Sequence, residues 1–151
     1  MDRLDRKILA LYQSDTRRIA SSIGTAVGLS AAAVQRRLKR LRTEGAIAAE
    51  VAILDGRSLG QPVICIVTVS LASGAAQIER FKRRMREHAN VQQCYHVTGS
   101  TDLVLIVTAA SMEEYGGLAR DWFETGQVAR YETHVVLDRV KVGLGLRVSA
   151  G

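Results

Sequence analysis

The segment GLSAAAVQRRLKRLRTEG, residues 28–45, predicts a short turn followed by a basic amphipathic helix. Gly28 is suited to end a preceding helix, and the Ser30 hydroxyl can cap the next one by accepting a hydrogen bond from a free backbone N–H. An apolar stripe recurs at i, i+4 and i+7, the spacing of one buried helical face: Val34, Leu38 and Leu41. Five cations crowd the same segment: Arg36, Arg37, Lys39, Arg40 and Arg42. The segment therefore predicts a helix with one buried aliphatic edge and a positive surface.

The side of this helix opposite the stripe has the chemistry of a DNA-reading surface. At about 100° per residue, five residues lie opposite Val34, namely Ala32, Gln35, Arg36, Lys39 and Arg40. Small residues at the start, Ser30 and Ala32 among them, let the helix N-terminus approach a groove, where Gln35 and Arg36 can reach base edges. The other cations, Arg37, Lys39, Arg40 and Arg42, are expected mostly to hold phosphates. A solvated surface helix is the plainer alternative, but such a helix usually carries compensating glutamates that are missing here.

Two shorter apolar patterns precede this segment and complete a three-helix module. Leu4, Ile8 and Leu11 predict a first helix, and Ile19, Ile23 and Val27 predict a second, with Gly24 inside it. Three short helices with a glycine-containing turn between the last two follow the helix-turn-helix pattern. Arg17 and Arg18, just before the second helix, are expected to add contacts to the DNA backbone.

Charge is distributed unevenly along the 151 residues, whose formal net charge is +6. Residues 1–50 hold ten of the 21 basic residues and only five of the 15 acidic ones. The imbalance predicts a basic N-terminal module with an anionic partner, joined to a nearly neutral one. The charged N-terminus is unlike a signal peptide, and no apolar run is long enough to cross a membrane, so we expect a cytoplasmic protein without a membrane partner. Cys65 and Cys94 are expected to be buried free thiols.

Beyond Gly45 the pattern becomes that of strands alternating with helices. Residues 46–54 are expected to be extended and residues 55–60 to form a loop. Val63–Leu71 predicts a strand buried on both faces, and residues 76–88 predict a helix. A hairpin is expected next, then a helix opened by a capping box at residues 111–114, and finally a long strand over residues 128–143. The predicted order, β-α-β-β-α-β, is the ferredoxin-like arrangement, so the fold class is α+β.

Five segments in this order resemble the Lrp/AsnC ("feast/famine") family of transcription regulators. They are LDRKIL (4–9), VGLSAAAVQRRLKRLRTEGAI (27–47), LDGRSLG (54–60), HVTGSTD (96–102) and ETHVVLDRVK (132–141). The resemblance implies a winged-helix-like helix-turn-helix DNA-binding domain over residues 1–48 and a connecting strand and linker over 49–61. It implies a ferredoxin-like effector-binding and oligomerisation domain over 62–151. It further implies a bacterial or archaeal repressor or activator, associated with the nucleoid, that forms dimers able to assemble into tetramers or octamers.

The same resemblance implies a small effector, commonly an amino acid, and no cofactor. Four positions of the second domain match the family's turn and could offer hydroxyls, a backbone amide and a carboxylate to such a ligand: Thr98, Gly99, Ser100 and Asp102. The family usually has tyrosine after the aspartate of this turn, whereas Asp102 is followed here by Leu103.

Catalysis and metal binding find little support in the sequence. No G-x-S-x-G, H-E-x-x-H, P-loop or Rossmann glycine pattern is present. His96 and His134 lie in alternating strands and are expected to be core or interface residues. Three hypotheses remain: an effector-responsive transcription factor, an architectural DNA-binding protein without effector, and an amino-acid-binding regulatory subunit of an enzyme. Sequence-specific footprints separate the first two, and absence of DNA binding at low salt favours the third.

Overall fold

The computed structural model describes residues 1–72 and 75–149, which form two compact units. One unit comprises Met1–Ile53 together with the C-terminal segment that begins at Lys141, and the other comprises Leu54–Val140. Within this first unit, the C-terminal segment contacts the N-terminal part through a pair of hydrogen bonds. The Gln13 side chain donates to the Leu146 carbonyl at 2.9 Å and accepts from the Leu146 N–H at 3.1 Å.

The first unit contains the three expected helices: α1 (Arg3–Tyr12), α2 (Ala20–Val27) and α3 (Ala31–Thr43). Its core contains Ile8, Ile23, Val34 and Leu38 from the predicted stripes, together with Tyr12, which the stripes did not include. The prediction is wrong at Ile19, which is 68% exposed. Helix α2 begins only at Ala20, and Ile19 is its N-cap with extended backbone, so its side chain does not share the helical face of Ile23.

The second unit has the expected βαββαβ order, so the α+β fold class is confirmed. Its elements are β1 (Val63–Leu71), α4 (Ala75–Glu87), β2 (Val91–His96), β3 (Leu103–Ala109), α5 (Met112–Phe123) and β4 (Val128–Val135). The strands form one antiparallel sheet in the order β2-β3-β1-β4. No helix in the described part of the chain is both long and apolar enough to cross a membrane.

Only one face of this sheet is covered by helices. Cys65, Val67 and Val69 of β1 are fully buried against a core that includes Phe81 of α4 and Trp122 of α5. The alternate residues of β1 point to the other face, where Ile66 is 37% exposed. The prediction that β1 is buried on both faces is therefore wrong. Crossover connections of one hand place both helices on the same side of the sheet, so a single chain leaves the other side open.

The extended segments that precede β1 and end β4 in the sequence are shorter than the sequence pattern indicated. Strand β4 ends at Val135 instead of reaching residue 143, and residues 46–54 form no strand. The Val136 N–H still donates to the Ile64 carbonyl at 2.9 Å. Strand β4 cannot pair with β1 much beyond this point, because β1 begins at Val63, directly after Pro62.

Candidate nucleic-acid interface

The tight turn between α2 and α3 depends on two glycines and one serine. Gly28 ends α2 in the left-handed conformation, with φ of +75°. Ser30 caps α3, and its Oγ accepts a hydrogen bond from the Ala33 N–H at 3.2 Å. A Cβ on Gly24 would lie 2.4 Å from the carbonyl oxygen of Leu29, a separation that real structures do not tolerate. Gly24 therefore allows the close approach of the two helices, a role that the helical pattern alone does not reveal.

Four predicted DNA-contact residues of α3 share one exposed surface: Ala32, Gln35, Arg36 and Lys39. Within the described residues, neither Arg36 nor Lys39 forms an ion pair with a carboxylate. We name these four residues together with Ser30 the reading surface. Its cations are uncompensated and its first turn is small, which is the combination that a groove-binding helix needs.

Two other predicted contact residues, Arg37 and Arg40, are held by a buried carboxylate of α1. Asp5 is fully buried, and its oxygens accept from Arg37 Nη1 at 2.7 Å and from Arg40 Nη2 at 2.6 Å. Arg37 also donates to Asp2 at 2.6 Å. Asp2 and Asp5 in turn cap α1 by exchanging hydrogen bonds between side chain and backbone, each 2.8 Å long. We name these four residues the aspartate clamp; it fixes α3 against the start of α1.

The charge of the clamp is reflected in its pKa values. Burial works against ionisation of Asp5, but the backbone N–H of Asp2 and the Arg37 guanidinium hold the pKa of Asp5 below its usual value. The pKa of Asp2 is lowered from 3.8 to about 2, with the hydrogen bond from Arg37 as the largest influence and the backbone N–H of Asp5 as the next. Both carboxylates are thus ionised at neutral pH, opposite two arginines that were expected to meet phosphates.

Arg42, at the end of α3, is engaged in a second cluster. Its Nη2 donates to Glu50 at 2.8 Å and to the Tyr12 hydroxyl at 2.8 Å, while Tyr12 also donates to Glu50. The guanidinium lies 5.6 Å from the centre of the Tyr12 ring. Arg42 therefore connects the segment after α3 to the end of α1.

The two arginines before α2 differ in exposure. Arg17 is largely exposed and contacts Asp15 at 3.4 Å. Arg18 is half-buried, and its Nε donates to the Ser22 hydroxyl at 3.3 Å. Both remain within the same unit as the reading surface.

The predicted effector residues lie in the turn between β2 and β3. Thr98, Gly99 and Ser100 are exposed, and Gly99 has a φ of +117°. Asp102 instead closes the turn onto β1: its Oδ2 accepts from the Leu71 N–H at 2.7 Å. The four residues are therefore not equivalent, because the carboxylate already has a backbone partner while the first three face outward.

A small cleft of about 90 Å³ borders this turn on the open face of the sheet. Ser100 lines it beside Thr68 and Ser70 of β1 and the ion pair between Arg130 and Glu132 of β4. The sequence pattern does not link these strand residues to the turn, because only the sheet order brings β1 and β4 beside it. Among the described residues, no group of three or more His, Cys, Asp or Glu side chains lies close enough together to hold a metal ion.

A helix-turn-helix unit with an uncompensated reading surface, joined to a βαββαβ unit, defines a class of two-domain transcription regulators. Comparison with known proteins gives the family. Residues 1–42 match the AsnC-type helix-turn-helix domain, and residues 64–146 match the Lrp/AsnC ligand binding domain. The chain belongs to the Lrp/AsnC family and is a transcriptional regulator, not an enzyme.

Relatives and solved structures agree with this assignment over nearly the whole chain. An uncharacterized HTH-type transcriptional regulator of Sinorhizobium fredii is 44% identical over 143 residues, covering 93% of this chain and 85% of the relative. The leucine-responsive regulatory protein of Escherichia coli is 29% identical, covering 93% of this chain and 87% of its own length. A transcriptional regulator of Neisseria meningitidis, solved in complex with L-methionine, superposes with a TM-score of 0.90 at 26% identity, covering 97% and 96% of the two chains.

Proposed function

We propose that this regulator binds DNA through the reading surface of α3, and that Gln35 and Arg36 read bases while Lys39 holds a phosphate. The observation that carries the proposal is the uncompensated charge of Arg36 and Lys39 on a helix whose first turn is small. Arg17 and Arg18 are proposed to contact the DNA backbone beside the second helix. Arg37, Arg40 and Arg42 act mainly by holding α3 in place, since carboxylates of the same unit already occupy their guanidinium groups. Their positive charge would still attract a nearby phosphate.

A dimer is the assembly that this mode of reading requires. One reading helix contacts few base pairs, so a useful site needs two helices about 34 Å apart on a near-palindromic sequence. The open face of the sheet, with Ile64, Ile66 and Ile106, offers an apolar surface for a second copy of the chain. Exposed apolar side chains before and after the sheet, among them Ile53 at 87% and Leu137 at 96% exposure, favour the same partner. Tetramers or octamers would be built from such dimers.

We infer that the second unit binds an amino acid as effector, and that the protein regulates genes of amino-acid metabolism at the nucleoid. The leucine-responsive name of one relative and the L-methionine complex of a structural neighbour support this ligand class. The exposed turn residues Thr98, Gly99 and Ser100, with the cleft beside them, offer hydroxyls and charges of both signs to a zwitterion. The effector would act by favouring one assembly or one spacing of the two reading helices, since a ligand with equal affinity for both states shifts nothing.

Footprinting on the DNA upstream of its own gene tests this function. The protein is titrated with and without each of the twenty amino acids, at low and at physiological salt. We expect a protected site with two-fold symmetry whose affinity or extent changes with one amino acid. Protection without sequence preference supports the architectural alternative, and absence of binding at low salt contradicts the proposal.

A further inference from the structure

A second cleft, away from the turn at residues 98–100, lies between α4 and the edge strand β2 and measures about 240 Å³. Its floor is apolar and consists of Met85, Val91 and Cys94. Met85 is fully buried and Cys94 is half-buried, paired in register with Leu105 of the core face. Burial is the larger influence on Cys94 and raises the pKa of its thiol. The floor is therefore neutral at physiological pH.

The rim of this cleft carries cations. Lys82 and Arg86 come from α4 and His96 from the end of β2. Both cations line the same cleft as Cys94, and their charges oppose the effect of burial on the pKa of its thiol. Lys82 donates one hydrogen bond to Glu79 at 2.6 Å and retains two further N–H groups. Arg86 has no carboxylate partner among the residues that the structure describes.

The lining of the cleft selects between ligand classes. None of its eight lining residues carries a carboxylate, and Glu79, which lies outside the lining, is already engaged by Lys82, so the ammonium group of an amino acid would find no free carboxylate among the lining residues. An anion with an aliphatic body would place its carboxylate between Lys82 and Arg86 and its chain on the apolar floor. The volume is below the roughly 300–1,000 Å³ of sites for drug-sized ligands, which favours a small metabolite.

We propose that the cleft between α4 and β2 binds a small aliphatic 2-oxo acid, an effector class distinct from the amino acid assigned to the turn at residues 98–100. The carboxylate accepts charge-assisted hydrogen bonds from Lys82 and Arg86, and the two glutamines of the lining can donate to the oxo group. The regulator would thus distinguish an amino acid from its deaminated counterpart by using two sites of opposite selectivity.

Calorimetric titration of the full chain with 4-methyl-2-oxopentanoate tests the proposal, with leucine as the matched ligand that carries an ammonium group. We expect saturable binding of the oxo acid, weakened at least about tenfold by Arg86→Gln and by Lys82→Gln, because each removes a charge-assisted hydrogen bond. Arg83→Gln is the control, since Arg83 lies on the same helix outside the lining and should leave binding unchanged. No binding to the wild type, or equal binding by the wild type and Arg86→Gln, overturns the proposal.

Alkylation of Cys94 by iodoacetamide locates the ligand independently of any substitution. Saturating oxo acid should slow modification of Cys94 at least severalfold, as measured by mass spectrometry of its peptide. Cys65 is fully buried, so its lack of modification serves as the internal reference for an intact fold. If saturating oxo acid leaves the rate of Cys94 alkylation unchanged, the ligand binds elsewhere. If leucine protects Cys94 equally well, the cleft does not disfavour ligands that carry an ammonium group. Because these readouts need no DNA, they can fail while DNA binding stands, and the reverse also holds.

Discussion

Replacing Asp5 by asparagine removes the central charge of the aspartate clamp and should destabilise the helical unit. Loss of one partner from a fully buried ion pair costs about 3–5 kcal/mol. Here the cost is smaller, because Arg40 is 46% exposed and Arg37 keeps its contact with Asp2. Asparagine also retains an acceptor oxygen. We therefore expect a loss of about 2 kcal/mol in the free energy of unfolding, a lowering of the melting temperature by roughly 8–16 °C for a unit of this size.

The chain offers a way to observe the two units separately during urea unfolding. The only tryptophan, Trp122, lies in the unit Leu54–Val140, so its fluorescence reports that unit. Far-ultraviolet circular dichroism reports the helices of both units. Asp5→Asn should shift part of the dichroism transition to lower urea while leaving the fluorescence transition in place. Asp15→Asn is the matched control: Asp15 is an exposed aspartate that contacts the exposed Arg17, asparagine keeps the oxygen that accepts from the Arg17 backbone N–H, and the transitions should not move.

The pH dependence gives a second measure of the same clamp. The pKa values of Asp2 and Asp5 are lowered in the folded state from 3.8, that of Asp2 to about 2. Their stabilisation is therefore complete above the unfolded pKa near 4 and is lost as the pH falls toward 2. Between about pH 4 and pH 2, the free energy of unfolding of Asp5→Asn should therefore fall less than that of the wild type. If Asp5→Asn and Asp15→Asn unfold at the same urea concentration and with the same pH profile, the clamp does not hold the helix.

Three further substitutions test other parts of the structure. Gly24→Ala should destabilise the helical unit by about 1–3 kcal/mol despite the better helix propensity of alanine, because the new Cβ meets the Leu29 carbonyl. Gly126 has open space around it, so Gly126→Ala should have no such effect in the same melting experiment. Ile66→Asp places a charge on the open face of the sheet and should convert the proposed dimer to a monomer in sedimentation analysis; an unchanged mass contradicts pairing through this face. Gln35→Ala should lose about 1–3 kcal/mol of discrimination at one base position of the operator in competition binding, and a uniform loss over all sequences means that Gln35 does not read a base.

Local patterns were sufficient to predict the order of the elements. The stripe Val34, Leu38 and Leu41 is buried as the i, i+4, i+7 spacing requires, and the capping roles of Ser30 and Ser111 are confirmed. The βαββαβ order also follows from local patterns, because each strand and helix has its own periodicity and is bounded by turn residues. These features depend on neighbours in sequence, and the sequence displays them directly.

The features that the sequence did not reveal depend on residues distant in the chain. Arg37 meets Asp5 across 32 positions and Arg42 meets Tyr12 across 30, so a helical wheel drawn for α3 alone shows these arginines as available to DNA. The open face of β1 likewise depends on which side of the sheet α4 and α5 occupy. The role of Gly24 depends on the carbonyl of a residue in the following turn, which no helical pattern reports.

The salt dependence of DNA binding by the reading surface distinguishes a helix that holds phosphates from one that is only solvated. The wild type, Lys39→Ala and the control Arg83→Ala are titrated onto the same footprinted operator from low to physiological salt. If Lys39 holds a phosphate, its loss weakens binding to every sequence alike and reduces the slope of log affinity against log salt by about one, whereas Arg83→Ala matches the wild type. An unchanged slope for Lys39→Ala would mean that Lys39 holds no phosphate and that the basic surface of α3 is that of an ordinary solvated helix.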